Sequence, residues 1–165
     1  MYELANLAAL EPAARTAEAV CLSVAKLFGV KKTEVALLEI AGTQLKFLYP
    51  AELKGTGVIP VSSSAVAART ARTRRPELFN TFTRVQHSSV FEVVKIGGAD
   101  DGNELIQKLM SAPVLSSNEK VLGVIQVCRK AKSAAAAGPD FTPEDLQRLK
   151  CVARTIGTLM TQSEG

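Results

Sequence analysis

Residues 108–130 read KLMSAPVLSSNEKVLGVIQVCRK and carry the strongest structural signal in the chain. Two apolar runs, 108–115 and 120–130, flank the polar turn 116–119, a pattern typical of a β-hairpin. Apolar side chains of the second run point to both faces of the strand, with Val121, Ile125 and Val127 on one face and Leu122, Val124 and Cys128 on the other. The exception is Gln126. Since a strand with two apolar faces needs cover on both sides, we predict that it lies at the centre of a sheet.

A long helix is predicted over 142–162, after a loop at 132–139 that contains four consecutive alanines. Its start is specified by Thr142, whose hydroxyl can accept from the amide three residues on, and by Pro143, which suits the first helical position. Asp145 occupies the capping-box position where Glu or Gln is usual. Apolar residues then recur at three- and four-residue steps, so one face can pack inside and its edge can meet a partner. We predict that a homodimer interface is formed there by Leu146, Leu149, Val152, Ala153, Ile156, Leu159 and Met160.

The residues upstream of the hairpin alternate between helical and strand patterns. An amphipathic helix is predicted over 12–28, with Gly29 as its stop. Two strands, 35–40 and 44–49, follow and are joined by a tight turn.

The middle of the chain is less regular. We predict a loop or irregular strand over 51–61, a helix over 62–73 opened by a serine cap, and a short strand over 77–80. The apolar residues of 81–96 do not recur with a clear periodicity, and a short helical segment is expected near 88–95. This order of elements is an α+β pattern, in which helices can cover both faces of one mainly antiparallel sheet.

Length and composition bound the class of protein. The chain has 165 residues, of which 47% are hydrophobic, so we predict a single domain over 1–165 with its core at about 12–162. The apolar runs are shorter than the roughly 18–20 residues that cross a bilayer, and we expect a soluble, cytoplasmic protein with no membrane partner. Three widely spaced cysteines and a single histidine predict neither a disulfide framework nor a zinc site.

Three segments carry a resemblance to a known family: 109–114 (LMSAPV), 121–127 (VLGVIQV) and 141–146 (FTPEDL). They resemble the C-terminal half of the GAF domain family, in which a serine and a proline mark one strand, a hydrophobic–Gly–hydrophobic strand follows, and an F-T-x-E-D cap begins the last helix. Upstream, 66–70 and the pair Arg75-Pro76 resemble the helix of that family and the turn after it.

The resemblance implies a GAF-like (PAS-like) fold. Its central antiparallel sheet would have about six strands, with the terminal helices on one face and a helix and loop segment covering a small-molecule pocket on the other. Members of the family bind cyclic nucleotides, bilins, haem, 2-oxo acids or other metabolites, and many dimerise through their terminal helices. Some have no known ligand, so the fold alone does not assign one.

Several positions depart from the family pattern. Arg74 stands where the turn after the helix has glycine, Ser62 and Ala65 stand where the helix entry often has glycine, and Asn80 or Thr81 replaces an aspartate. These departures bear on any contact that the family makes with a ligand through this loop.

We find no haem, bilin or metal signature. The residue before His87 is Gln86, whereas bilin-binding relatives have cysteine there, and no second haem ligand accompanies His87. The acidic pair of the cyclic-nucleotide signature is also missing. The identity of the ligand therefore stays unknown.

The resemblance places a pocket beneath the irregular segment, where apolar walls and a few polar groups suit a small ligand. We predict the ligand-binding residues Phe79, Asn80, Phe82, His87, Phe91, Met110 and Ser111. Alternatively, the phenylalanines fill the core beneath a loop and nothing binds. The densest basic cluster, Arg69, Arg72, Arg74 and Arg75, is interpreted as a solvated helix end rather than a nucleic-acid site.

The function predicted from these observations is a non-catalytic sensor or regulatory domain that binds a small molecule and dimerises through 12–28 and 142–162. A ligand-free dimerisation scaffold with an occluded pocket is the second hypothesis. The third is a free methionine sulfoxide reductase, because one branch of the family is similar in size to this chain. That branch uses cysteines around the pocket, whereas Cys21, Cys128 and Cys151 lie on the predicted terminal helices and the central strand.

Overall fold

The computed structural model describes residues 17–49, 58–81, 105–133 and 135–164. Within these ranges the helices are α1 (Ala17–Phe28), α2 (Val66–Thr73) and α3 (Pro143–Glu164). The strands are β1 (Val35–Ala41), β2 (Gln44–Tyr49), β3 (Val58–Pro60), β4 (Glu77–Phe79), β5 (Leu105–Leu115) and β6 (Val121–Ala131). Short 3-10 turns at Lys32–Glu34 and Ala135–Ala137 precede β1 and α3. The helical piece predicted near 88–95 and the first residues of the helix predicted over 12–28 lie outside the described residues.

The strands form one open sheet in the order β3-β2-β1-β6-β5-β4, and each strand is antiparallel to its neighbours. The α+β architecture and the antiparallel six-stranded sheet are therefore confirmed. The strand that contains Gln126, β6, lies between β1 and β5 as predicted. None of the helices in the described ranges is long and apolar enough to span a membrane.

Helices cover the two faces of the sheet unequally. α1 and α3 pack on one face, here called the two-helix face, where Val24 and Ile156 meet Met110 and Ile125 of the sheet. The shorter α2 packs on the other, here called the α2 face, where Ala67 meets the sheet residues Leu38, Leu109 and Val124 among others. Both faces of β6 are therefore covered, which is the reason for its two apolar faces.

The apolar stripe of α3 belongs to the core of the chain itself. Leu149, Val152, Ala153, Ile156 and Leu159 are buried in the cluster on the two-helix face, and Leu146 and Met160 are partly buried against it. These seven residues were predicted to meet a second copy. The sheet and α1 cover the five buried residues, whereas Leu146 and Met160 keep part of their surface at the edge of the stripe.

A β-bulge corrects the predicted orientation of two side chains in β6. Val114 pairs with Gly123 but Leu115 pairs with Val121, so Leu122 is an extra residue in β6. An extra residue reverses the alternation of side chains on one side of it. Val121 therefore packs on the α2 face and Leu122 on the two-helix face, the reverse of the prediction, whereas the residues after Gly123 alternate as expected.

Helix starts follow the local hydrogen-bonding chemistry. Before α3, the amide of Asp145 donates to Thr142 Oγ1 (3.1 Å) and the amide of Thr142 donates to Asp145 Oδ2 (2.9 Å), so the predicted capping box is present. The serine cap predicted for α2 is wrong: α2 begins at Val66, after Ala65, with no side-chain cap. The hydroxyl of Ser63 instead accepts from the amide of Ala65 (3.4 Å), a local turn that competes with helix.

Candidate functional site

Two of the predicted ligand residues lie on opposite faces of the sheet. Met110 and Ser111 are neighbours on β5, and successive side chains of a strand point to opposite faces. Met110 is buried on the two-helix face, whereas Ser111 contacts α2 through Thr70. Met110 and Ser111 therefore cannot line the same cavity, and only Ser111 is on the side where the resemblance implies a pocket.

A buried polar tract crosses the α2 face from the helix to the central strand. It consists of Thr70 on α2, Ser111 on β5 and Gln126 on β6, none of which is more than 1% exposed. The hydroxyl oxygens of Thr70 and Ser111 lie 2.7 Å apart, and Nε2 of Gln126 donates to Ser111 Oγ (3.2 Å). Such a tract is unusual in a cluster whose other members are apolar, because each buried polar group needs a partner.

The direction of these hydrogen bonds can be followed from the helix inward. The hydroxyl of Thr70 donates to the carbonyl of Val66 (3.0 Å), so its oxygen is left to accept from Ser111. Ser111 Oγ in turn accepts from Gln126. The tract therefore ends at Oε1 of Gln126, a buried acceptor that has no hydrogen-bond partner among the residues that the structure describes.

An unpaired buried acceptor lowers the stability of the folded state by about 1–3 kcal/mol. Such a group in a folded protein therefore needs a structural or functional reason. On β1 the residue paired with Gln126 is Ala36, a small side chain that brings no donor. An N–H or O–H group supplied from outside the chain would complete the tract.

Phe79 marks the edge of the α2 face. It ends β4, is partly buried and packs against the core cluster of that face. The guanidinium of Arg69 lies 5.8 Å from its ring centroid and forms two bonds with the carboxylate of Glu77, from Nε to Oε1 (2.8 Å) and from Nη2 to Oε2 (2.7 Å). Phe79 pairs with Leu109 of β5, two residues before Ser111, so it lies on the side expected for the pocket.

Asn80 has a structural role in the described residues. Its Nδ2 donates to the carbonyl of Phe141 (2.9 Å), and its Oδ1 accepts from the amide of the same residue (2.9 Å). Both ends of the side-chain amide are therefore engaged by the backbone just before α3. Of the other predicted ligand residues, Phe82, His87 and Phe91 lie outside the described residues.

The predicted basic cluster is largely occupied by contacts within the chain. Arg69 pairs with Glu77, and Nη1 of Arg72 donates to the carbonyls of Val61 (2.5 Å) and Ser63 (2.7 Å). Arg74 is the C-cap of α2 and has left-handed backbone angles. These contacts agree with the interpretation of the cluster as the end of a helix.

The three cysteines do not form a reactive pair. Cys21 and Cys128 are buried, and burial raises the pKa of both thiols, whereas Cys151 is exposed on α3. Since the thiolate is the nucleophile, a buried thiol with a raised pKa is poorly suited to reduce a substrate.

Two members of the polar tract, Thr70 and Gln126, were not among the predicted site residues. Gln126 did stand out in the sequence as the polar exception in a strand with two apolar faces. Thr70 gave no such signal, because its contact with Ser111 joins residues that are 41 positions apart.

A GAF domain family model matches residues 12–160, in agreement with the resemblance stated from the sequence. No curated protein sequence matches the chain.

Solved structures share this fold at low sequence identity. The GAF domain from Acinetobacter phosphoenolpyruvate-protein phosphotransferase is 12% identical, with 99% of this chain and 90% of that chain covered and a TM-score of 0.71. The GAF domain of a two-component sensor histidine kinase from Bacillus halodurans is 18% identical, with 79% and 82% covered and a TM-score of 0.55. A type II free methionine-R-sulfoxide reductase from Thermoplasma acidophilum is 12% identical, with 88% and 89% covered and a TM-score of 0.60. The structural neighbours thus include proteins of regulatory type and one enzyme.

Proposed function

Because the chain belongs to the GAF domain family, we propose that it is a non-catalytic, cytoplasmic sensor domain that binds a small molecule on the α2 face. The observation that carries this proposal is the buried Oε1 of Gln126, which has no partner at the end of the tract from Thr70. A ligand with an N–H or O–H donor would satisfy this acceptor while its apolar part packs against the small side chains of α2. Phe79 and Ser111 are the predicted ligand residues retained in this proposal, while Phe82, His87 and Phe91 stay predictions.

Signal transfer would run through the sheet. Ser111 on the α2 face is flanked along β5 by Met110 and Ala112, which belong to the core on the two-helix face. A shift of β5 on ligand binding would therefore alter the surface on which α3 packs. A ligand changes such an equilibrium only by its difference in affinity for the two positions of the strand.

We further propose that the domain forms a homodimer through the outer surfaces of α1 and α3. Five residues of the predicted stripe pack on the sheet, so the proposed interface combines the partly exposed Leu146 and Met160 with residues that face away from the sheet. Leu22 of α1 is a large apolar side chain that is 42% exposed on this outer surface.

Two other functions receive less support. A ligand-free scaffold would have to leave the acceptor of Gln126 unpaired permanently, at a cost to its stability. A sulfoxide reductase like the Thermoplasma neighbour would require reactive thiols, and Cys21 and Cys128 are buried with raised pKa values.

Native mass spectrometry of the protein, isolated from cells without a denaturing step, tests the sensor hypothesis. We expect a mass above that of the denatured chain, and we expect Gln126→Met to abolish the excess because it removes the carbonyl acceptor. Gln107→Met is the matched control: it also removes a buried amide, but one whose Nε2 already donates to the carbonyl of Ala131 (2.9 Å), away from the tract. This control should keep the excess mass.

The scaffold makes the opposite prediction for the same variants. It requires a wild-type protein of bare mass and a Gln126→Met variant with a higher melting temperature, because an unpaired buried acceptor has been removed without losing any ligand. That pair of results would refute the sensor proposal.

A further inference from the structure

A cleft of about 350 Å³ opens at the end of the sheet, where β6 leaves it and β1 begins. Small side chains, Ala131, Ala136 and Ala137, form part of its wall, and no residue of α2 lines it. The cleft is thus distinct from the ligand site proposed on the α2 face.

Positive charge dominates the lining. Lys31, Arg129, Lys130 and Lys132 line the cleft, and Glu34 supplies the one carboxylate among the described lining residues. Nζ of Lys130 also donates to the carbonyl of Thr33 (3.2 Å). Both oxygens of this carboxylate accept from the backbone, Oε1 from the amide of Lys31 (2.8 Å) and Oε2 from the amide of Lys130 (2.6 Å). Glu34 therefore joins the start of β1 to the end of β6, while the cationic side chains leave the cleft with an excess of positive charge.

The side chain of Arg129 is fixed in position, but its guanidinium makes few hydrogen bonds. Its guanidinium lies 4.8 Å from the ring centroid of Phe141, and Nη2 donates to the carbonyl of Phe28 over a long 3.4 Å. Its Nε is buried and has no hydrogen-bond partner within the described part of the chain. A guanidinium that is fixed by stacking and keeps spare hydrogen-bonding capacity is suited to an oxyanion.

We propose that this cleft binds a phosphate group of a small molecule. Arginine and lysine together match the several acceptor oxygens of a phosphate, and the volume is in the range of small-ligand sites, about 300–1,000 Å³. A compact cleft with clustered cations favours a single small anion over a nucleic acid strand, which needs a groove and stacking aromatic residues. The bound phosphate would contact the loop that leads into α3 through Lys132 and Ala136.

Isothermal titration calorimetry with pyrophosphate at low ionic strength tests the proposal. The test variant is Lys31→Gln/Lys132→Gln, and the matched control is Lys46→Gln/Lys150→Gln, since all four lysines are exposed and each pair removes two charges. We expect one pyrophosphate per wild-type chain, an affinity at least about tenfold lower for the test variant, and wild-type affinity for the control. Melting curves of both variants verify that they are folded.

Amide chemical-shift mapping by NMR gives an independent readout of position. In the wild-type protein we expect pyrophosphate to shift the resonances of residues 31–34 and 129–137. Absence of saturable binding, equal losses in the two double variants, or shifts centred on α2 would each overturn the proposal. Tighter binding of a single-stranded oligonucleotide that both double variants weaken equally would point to diffuse attraction of nucleic acid and would also overturn it.

The two binding proposals fail separately. Gln126→Met should leave pyrophosphate binding unchanged, because Gln126 does not line the cleft. If native mass spectrometry shows no ligand on the α2 face, the proposal of a phosphate site in the cleft is therefore unaffected.

Discussion

Arg74 adopts a backbone conformation that glycine reaches more easily. Its angles are φ 57° and ψ 31°, and its amide donates to the carbonyl of Thr70 (2.9 Å) at the end of α2. A left-handed residue with a side chain is disfavoured by roughly 1–2 kcal/mol, whereas glycine is not. This is the position at which the related turn of the GAF family has glycine.

Arg74→Gly is therefore expected to raise the free energy of unfolding by about 0.5–1 kcal/mol, after the greater chain entropy of glycine is subtracted. Urea denaturation measures the change. The control is Arg75→Gly at the next position, which lacks a positive φ and should be destabilised by about 0.5–1 kcal/mol. Destabilisation of similar size in both variants would contradict the explanation from backbone strain.

For single residues, the sequence identifies side chains with unusual chemical character, but it does not identify the residues that they contact. Gln126 was recognisable as a polar residue in an apolar strand, yet nothing in the sequence connects it to Ser111 and Thr70. Asn80 was predicted to face a ligand, and no sequence pattern indicated that its side-chain amide bonds to the backbone of Phe141, a residue 61 positions away. Contacts over such separations depend on strand register, which local patterns do not determine.

At the scale of elements, Gly157 determines how closely α3 approaches the sheet. A Cβ atom at this position would overlap the carbonyl oxygen of Leu115 at the end of β5, which is a backbone atom and cannot turn aside. Gly123 has the same relation to the carbonyl of Leu38 on the neighbouring strand β1. The glycine of the hydrophobic–Gly–hydrophobic pattern thus has a packing role in the sheet.

Gly157→Ala is expected to lower the free energy of unfolding by about 1–3 kcal/mol, because the overlap outweighs the gain of about 1 kcal/mol in helix propensity. Urea denaturation again provides the measurement. Thr158→Ala is the control on the exposed side of the same helix, and it should change stability by less than about 0.5 kcal/mol. A Gly157→Ala protein more stable than wild type would show that α3 packs less closely on β5 than described.

The elements themselves were largely predictable, because their signals are local. Apolar runs located β1, β5 and β6, alternation of polar and apolar residues located β2, and the capping box located the start of α3. The bulge at Leu122 was not predictable, since an extra residue leaves the composition of the strand unchanged while reversing its faces. The stripe of α3 was recognised as apolar, but the sequence did not show that five of its seven residues would be buried on the sheet.

At the scale of the whole molecule, the proposed homodimer has a specific test. Leu22 and Val58 are the large apolar residues most exposed in the described ranges, at 42% and 40%. They lie on different parts of the fold, Leu22 on the outer surface of α1 and Val58 on the edge strand β3. A dimer formed through the terminal helices should depend on the first and not on the second.

We expect Leu22→Arg to shift the protein from dimer to monomer, because it places a charge in an apolar contact. Size-exclusion chromatography with light scattering over a range of concentrations measures the shift. Val58→Arg, which adds the same charge at a matched exposure, should leave the dimer intact. A dimer lost only in Val58→Arg would move the interface to the edge of the sheet, and a wild-type protein that is monomeric throughout would refute dimerisation.

The pairing of Asn80 with Phe141 also bears on how freely this domain can change during evolution. β4 pairs with β5 on one side. The side-chain amide of Asn80, directly after β4, bonds to the backbone of Phe141, directly before the start of α3. The end of β4 is therefore held both by the sheet and by the segment that leads into α3. This anchor is separate from the tract of Thr70, Ser111 and Gln126. Ligand preference could therefore diversify by substitutions at the tract, while the helix that would report binding keeps its position.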